Sequence, residues 1–129
     1  MLARRHRLTA GEDFRSVLRG RGDGRRRQRT GTDLLVVHVS LPPRPGATAT
    51  ASDARCPRVG LVVSKAVGNA VVRNRTARRL RHLMADRMGD LPPAGDVVVR
   101  ALPPAAAASS DELAAALDHA LGRALTRAS

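Results

Sequence analysis

The sequence predicts an α+β sandwich, with helices packed on one sheet, in a chain of 129 residues. Three observations predict it. Short β-branched runs stand at 34–39, 58–63 and 96–101. Segments with helical apolar spacing stand at 9–18, 70–88 and from 109 onward. The resulting order is helix, strands, helix, strand, helix. The length suits one domain, residues 1–129, with a single modest core, and no internal repeat is visible.

Taken in order, residues 1–9 are basic and read as an irregular arm. Thr9 followed by Glu12 fits a capping box, opening a helix to about residue 18 with Phe14, Val17 and Leu18 as its apolar face. A Gly- and Arg-rich stretch follows, and its Gly24-Arg25-Arg26-Arg27-Gln28-Arg29 segment sits on a loop or at the entry to a strand. Leu34-Leu35-Val36-Val37-His38-Val39 is a strand. Residues 42–57, rich in Pro, Ala, Thr and Ser, read as a mobile insertion too poor in large apolar groups to order itself. Arg58-Val59-Gly60-Leu61-Val62-Val63 is the next strand, antiparallel to the previous one if the insertion is a simple hairpin loop.

A helix over 70–88 follows, started by Gly68-Asn69 and ended by Gly89 and Pro92-Pro93. A helical wheel places Val72, Thr76, Ala77, Leu80, Leu83, Met84 and Met88 on one side. Asn74, Arg75, Arg78, Arg79, Arg81 and His82 fall on the other, and Arg73 lies near the boundary. Asp96-Val97-Val98-Val99-Arg100-Ala101 is a third strand, and 102–108 a Pro/Ala linker. Ser109 with Glu112 makes a second capping box, followed by Leu113, Leu117, Leu121 and Leu125 at intervals of four. That stripe reads as core rather than a zipper seam, because its spacing does not sustain a heptad.

Charge carries the functional signal. The chain holds 23 Lys+Arg against 11 Asp+Glu, a formal net charge of +12. Such a field favours a polyanionic partner. Arg73, Arg75, Arg78, Arg79 and Arg81 fall within nine residues, with Asp86 the single acid of that helix. A merely solvated face mixes signs, since interspersed acids support a helix through i, i+4 pairs. Basic residues at the positive end of the helix dipole are instead mildly destabilising. Guanidinium forks match phosphates bidentately, so this face reads as a nucleic-acid surface. Phe14 is the sole aromatic, which nearly rules out a base-stacking platform.

Several classes are excluded. No run approaches the roughly 18 apolar residues of a membrane span, and the basic start is broken by Thr9, Glu12 and Asp13 before any secretory apolar core. Cys56 is alone, and His6, His38, His82 and His119 are scattered without metal-ligand spacing. A cytoplasmic protein that binds no cofactor by itself is expected. His38 within a strand and Phe14 on a short amphipathic helix read by default as structural residues. Ser64 beside Lys65 lacks a third orienting group and reads as coincidence. Asp13, Asp33, Asp53, Asp86, Asp90 and Asp96 show no paired-carboxylate spacing for two-metal hydrolysis. A general RNA-binding or ribosome-associated protein, and a metal-dependent nuclease, are the competing readings.

The chain resembles the bacterial ribonuclease P protein subunit. The resemblance rests on Arg7-Leu8 with Glu12-Asp13-Phe14 and Val17, on Arg58-Val59-Gly60-Leu61-Val62-Val63-Ser64-Lys65, on Gly68-Asn69-Ala70-Val71-Val72-Arg73-Asn74-Arg75, and on Asp96-Val97-Val98-Val99-Arg100, in the family's order. It implies a two-layer α/β sandwich of order α-β-β-β-α-β-α, like the second domain of a ribosomal protein, with a left-handed βαβ crossover, an exception to the usual hand. It implies an accessory role in an endoribonuclease that removes the 5′ leader of precursor tRNA. The catalyst would be the RNA subunit, working with Mg²⁺, and no residue of this chain would be catalytic. The implied partners are ribonuclease P RNA and precursor tRNA, with no membrane and no further protein required.

Carried onto this sequence, Arg73, Asn74, Arg75, Arg78 and Arg81 would contact RNA, joined by Arg79 from the outward face of the wheel. Phe14, Val17 and Lys65 would line or flank a cleft for the leader, with Val36 and His38 on its floor, which turns Phe14 from core to exposed. The chain also departs from the family's pattern. Leu18 stands where a second aromatic is usual, His38 where the first long strand often carries one, and Ala66 where a second lysine usually follows Lys65. The Lys-Arg step after the signature is Ala77-Arg78. Leader stacking should be weaker here, leaving more of the affinity to charge.

Overall fold

The computed structural model describes residues 6–8, 17, 25–42 and 56–128. Four strands form one mixed sheet: β1 (Arg26–Gly31), β2 (Leu35–Leu41), β3 (Arg58–Val62) and β4 (Asp96–Ala101). Their spatial order is β1-β2-β4-β3. Among the described residues, two helices have full ranges, α1 (Ala70–Ala85) and α2 (Ser110–Ala128). The Thr9–Glu12 capping box, Phe14 and Leu18 lie outside the described residues, as does most of the 42–57 insertion; Val17 is described and is helical.

The second basic cluster resolves into a strand. β1 and β2 form an antiparallel hairpin, with Gly31 opposite Val36 and Arg26 opposite Leu41. Thr32 closes it, its Oγ1 accepting from the backbone N–H groups of Leu34 and Leu35, both at 3.2 Å.

One expectation is corrected. β2 and β3 are not hairpin neighbours, because β4 lies between them, antiparallel to β2 and parallel to β3. Sequence composition explains the order. Val97, Val98 and Val99 are all 0% exposed, so the centre of β4 is apolar and buried on both faces and suits the sheet interior. β3 carries Arg58 and Gly60, takes the outer place, and reaches its parallel neighbour through α1. Beyond β3, Leu8 N–H donates to Val59 O at 2.9 Å, so the N-terminal arm partly caps that edge.

Alternation on β2 sends Leu35, Val37, Val39 and Leu41 to the face that α1 and α2 cover. There they meet Leu80 and Met84 of α1 and Leu113, Leu117, Ala120, Leu121 and Ala124 of α2. The leucine stripe is therefore core, as its spacing predicts, though Leu125 is only half-buried. The Ser109–Glu112 box forms reciprocally: Ser109 N–H donates to Glu112 Oε1 at 3.0 Å, and Glu112 N–H to Ser109 Oγ at 3.1 Å. The Ser109 backbone N–H, and then its side chain, hold the Glu112 carboxyl below the usual range. α1 stops three residues before the expected end, and Met88–Asp90 is a 3₁₀ turn that still buries Met88. The 102–108 linker likewise holds a 3₁₀ turn, Pro103–Ala106, with Ala105 buried.

Candidate nucleic-acid interface

Two basic surfaces emerge from this frame. The first is the outer face of α1. Asn69 caps the helix, its Oδ1 accepting from Val72 N–H at 3.0 Å. Gly68 permits the approach: a Cβ there would stand 2.8 Å from Val72 Cγ1. The first turn contains no acid. Asn74, Arg75, Arg78, Arg81 and His82 are exposed, as the wheel predicts, while Thr76, Leu80 and Met84 are buried beneath them.

The two remaining arginines behave differently. Arg79 is half-buried and its Nη1 donates to the carbonyl of Ala108 at 3.2 Å, so it fastens α1 to the segment before α2. Arg73 is half-buried, and its Nε is enclosed without a hydrogen-bond partner. The boundary position of Arg73 on the wheel thus becomes a partly inward side chain, with an unsatisfied donor at the capped end of the helix.

The second surface is the sheet face opposite the core. Register sets three rows across it: Arg27, Ser40, Asp96 and Arg58; then Arg29, His38, Val98 and Gly60; then Gly31, Val36, Arg100 and Val62. Val17 and Leu8 close over Val98, with Val62 beside them. What is left open is a groove of about 380 Å³ lined by Val17, Arg27, Gln28, Arg29 and His38. Val36 is half-buried on the same face, one row away. Lys65 is exposed in the turn after β3, outside the groove lining.

Two ends of this face differ in charge. Asp96 is 4% exposed and receives Arg58 Nε at 3.1 Å and Arg58 Nη2 at 3.3 Å. Arg25 Nη2 lies 3.8 Å from it, and the same guanidinium donates to Ser40 O and Ala94 O, both at 2.8 Å. That end is internally braced. At the other end Arg29 and Arg100 are exposed and form no ion pair among the described residues. Burial, and then the charges of Arg29 and Arg100, push the His38 imidazole below its ordinary value of 6.5.

Arg27 and Arg29 in the groove lining, and Arg100 one row away on the same sheet face, are residues that sequence reasoning did not single out. The signal was available in the alternation of Arg25, Arg27 and Arg29, which puts them on one face once 26–31 is a strand. Among the described residues, no three His, Cys, Asp or Glu side chains converge to hold a metal ion.

A family model described as "Ribonuclease P" matches residues 2–125. The ribonuclease P protein component of Streptomyces avermitilis is 51% identical over 128 residues, covering 97% of this chain and 96% of its own length. That of Corynebacterium diphtheriae is 45% identical, covering 95% and 96%. The solved RNase P protein of Staphylococcus aureus superposes with a TM-score of 0.72 at 24% identity, over 92% of this chain and 94% of that one. The Thermotoga maritima protein gives 0.65 at 21% identity, over 91% and 96%. These two support the shared fold, and the closer sequence matches carry the family assignment. The chain belongs to the ribonuclease P protein family, and so to the protein subunits that partner ribonuclease P RNA in tRNA processing.

Proposed function

We propose that this subunit is non-catalytic: it binds ribonuclease P RNA through the exposed face of α1 and the 5′ leader of precursor tRNA in the groove over the sheet. The observation that carries the reading is the acid-free face of Asn74, Arg75, Arg78, Arg81 and His82, presented by a helix whose other side is packed into the core. Arg73 stands half-buried at the same end of the helix, its Nε turned inward. Arg79, tied to Ala108, orients the face more than it reaches out.

Two polyanionic RNAs repel one another, and arginine-rich surfaces on two sides of one small domain lower that repulsion by neutralising phosphates and releasing counterions. Holding the leader beside the RNA then converts a loose encounter into a positioned one. In this reading the RNA subunit performs the cleavage with Mg²⁺, and this chain contributes positioning and charge. A cytoplasmic site of action and a complex without other proteins belong to the same proposal. In this reading Val17 and His38 line the leader groove, with Val36 one row away on the same face.

The test is cleavage of precursor tRNA by the full chain alone, by ribonuclease P RNA alone at low Mg²⁺, and by the two together. Cleavage confined to the combined reaction is expected. Cleavage by the protein alone would overturn the proposal in favour of a nuclease, and RNA binding without stimulation would favour a general RNA-binding protein.

A further inference from the structure

His38 faces the groove beside the exposed guanidinium of Arg29, and the exposed Arg100 stands on the same sheet face, a combination that a single-stranded RNA backbone would change chemically. His38 lies directly opposite Arg29 across the β1–β2 ladder, and Arg100 stands one residue pair along on β4. Among the described residues, the charged groups facing this position are few. β1 offers Arg27 and Arg29, and β4 offers Arg100, with Asp96 at the far, braced end. β3 presents Gly60 in the same row and Arg58 in the row of Asp96, and the helical segment above presents Val17. His38's own strand adds only Val36 and Ser40 on this face. Among the described residues, positive charge thus dominates around the ring.

We propose that His38, Arg29 and Arg100 form a proton-linked phosphate subsite, in which a leader phosphodiester binds together with one proton taken from solvent by the His38 imidazole. The inference rests on the leader-groove reading above. In the free protein, burial and the two arginines keep the ring neutral near pH 7. A phosphodiester seated against Arg29 and Arg100 cancels the field that disfavoured the imidazolium and adds an attractive negative charge. The ring then gains a proton and a charge-assisted hydrogen bond to the phosphate. The proton passes from solvent to the ring nitrogen, no phosphorus–oxygen bond is made or broken, and the phosphodiester stays anionic throughout. Charge here takes over what base stacking would supply in a groove richer in aromatics, since Phe14 is the chain's sole aromatic.

The sign follows from linkage. The bound-state pKa exceeds the free-state value, so affinity is greatest below the free-state value and falls as pH rises through the bound-state one. The loss is about tenfold for each unit separating them. The experiment uses the holoenzyme, reconstituted from the full chain and ribonuclease P RNA, with precursor tRNA and with mature tRNA lacking the leader. Equilibrium binding is measured from pH 5.5 to 8 at constant ionic strength, and proton uptake by calorimetry in buffers of different ionisation enthalpy.

Expected are a leader-dependent affinity that weakens about five- to tenfold with rising pH, and proton uptake that peaks at about half a proton between the two pKa values with the leader and is none without it. Both should vanish in His38→Gln. A leader contribution that is flat with pH, or equally pH-dependent in His38→Gln, overturns the inference and leaves the leader groove standing. Absence of any leader contribution at any pH overturns both. The proton count on the unsubstituted holoenzyme decides the matter even if His38→Gln folds poorly.

Discussion

At the scale of single residues, the positions that matter most are those where chemistry and backbone meet. Gly68 is one. A Cβ at this position would meet Val72 Cγ1 at 2.8 Å and Val72 Cβ at 2.9 Å, atoms of a stiff side chain on a helix that cannot swing aside. Gly68→Ala should therefore cost about 1–3 kcal/mol of stability, as overpacking does, and should weaken RNA binding by shifting the first turn that carries Arg73 and Asn74. Gly89, with no atom within 4 Å of its virtual Cβ, supplies the control. Gly89→Ala should stay within about 0.5 kcal/mol of the parent. Urea denaturation of the two variants checks the difference, and equal stabilities would refute it. His38 is the other such position, where strand register alone sets an imidazole beside Arg29.

Elements show how the arginine face is held. α2 supplies most of the wall behind the β1–β2 hairpin, through Leu113, Leu117 and Leu121 with Ala120, Ala124 and Ala128 between them. Leu117 is 0% exposed in a packed interior, so Leu117→Ala should destabilise by about 2–5 kcal/mol. Leu125→Ala, at the half-buried end of the same stripe, should cost clearly less. Thermal or urea unfolding of both variants makes the comparison, and equal losses would mean that the stripe is not graded as described. The two helices are also clamped by Arg87, whose Nε donates to Asp118 Oδ1 at 2.6 Å. That bond holds the Asp118 carboxyl below its usual range, so its contribution is present above the ordinary carboxylate pKa and is lost as pH falls through the lowered one. With Asp118 62% exposed, solvent screening limits the pair to about 0.2–1 kcal/mol.

For the whole molecule the net charge is +12, and exposed arginines stand both on the face of α1 and on the sheet face with its groove. Affinity for RNA should accordingly fall steeply with salt. Replacing both Arg75 and Arg78 by Ala should weaken binding to ribonuclease P RNA and flatten the log–log salt dependence by about one unit per lost phosphate contact. Titrations of parent and double variant across salt concentrations measure that slope. An unchanged slope would make the α1 face a bystander. Neither side chain is buried or hydrogen-bonded into the core, so the fold itself should be unaffected.

Much of this was legible in the chain itself because periodicity and capping are local. The stripe of Thr76, Leu80 and Met84, the reciprocal Ser109–Glu112 cap and the Val97–Val99 strand all follow from spacing of 3.6 or 2 and from side chains that satisfy nearby backbone groups. The α1 arginine face was legible for the same reason. Strand order was not, because apolar runs at 34–39 and 58–63 look equally able to pair, and only competition for the doubly covered interior places β4 between them. The inward lean of Arg73 and the tether from Arg79 to Ala108 depend on segments far along the chain. So does the juxtaposition of Arg29, His38 and Arg100, three residues on three strands that meet only when register is set. Sequence by itself determined the elements and the sign of the partner's charge. Tertiary structure alone decided which arginines are braced, which are free to meet a phosphate, and where an imidazole joins them, because those are properties of long-range contacts rather than of spacing.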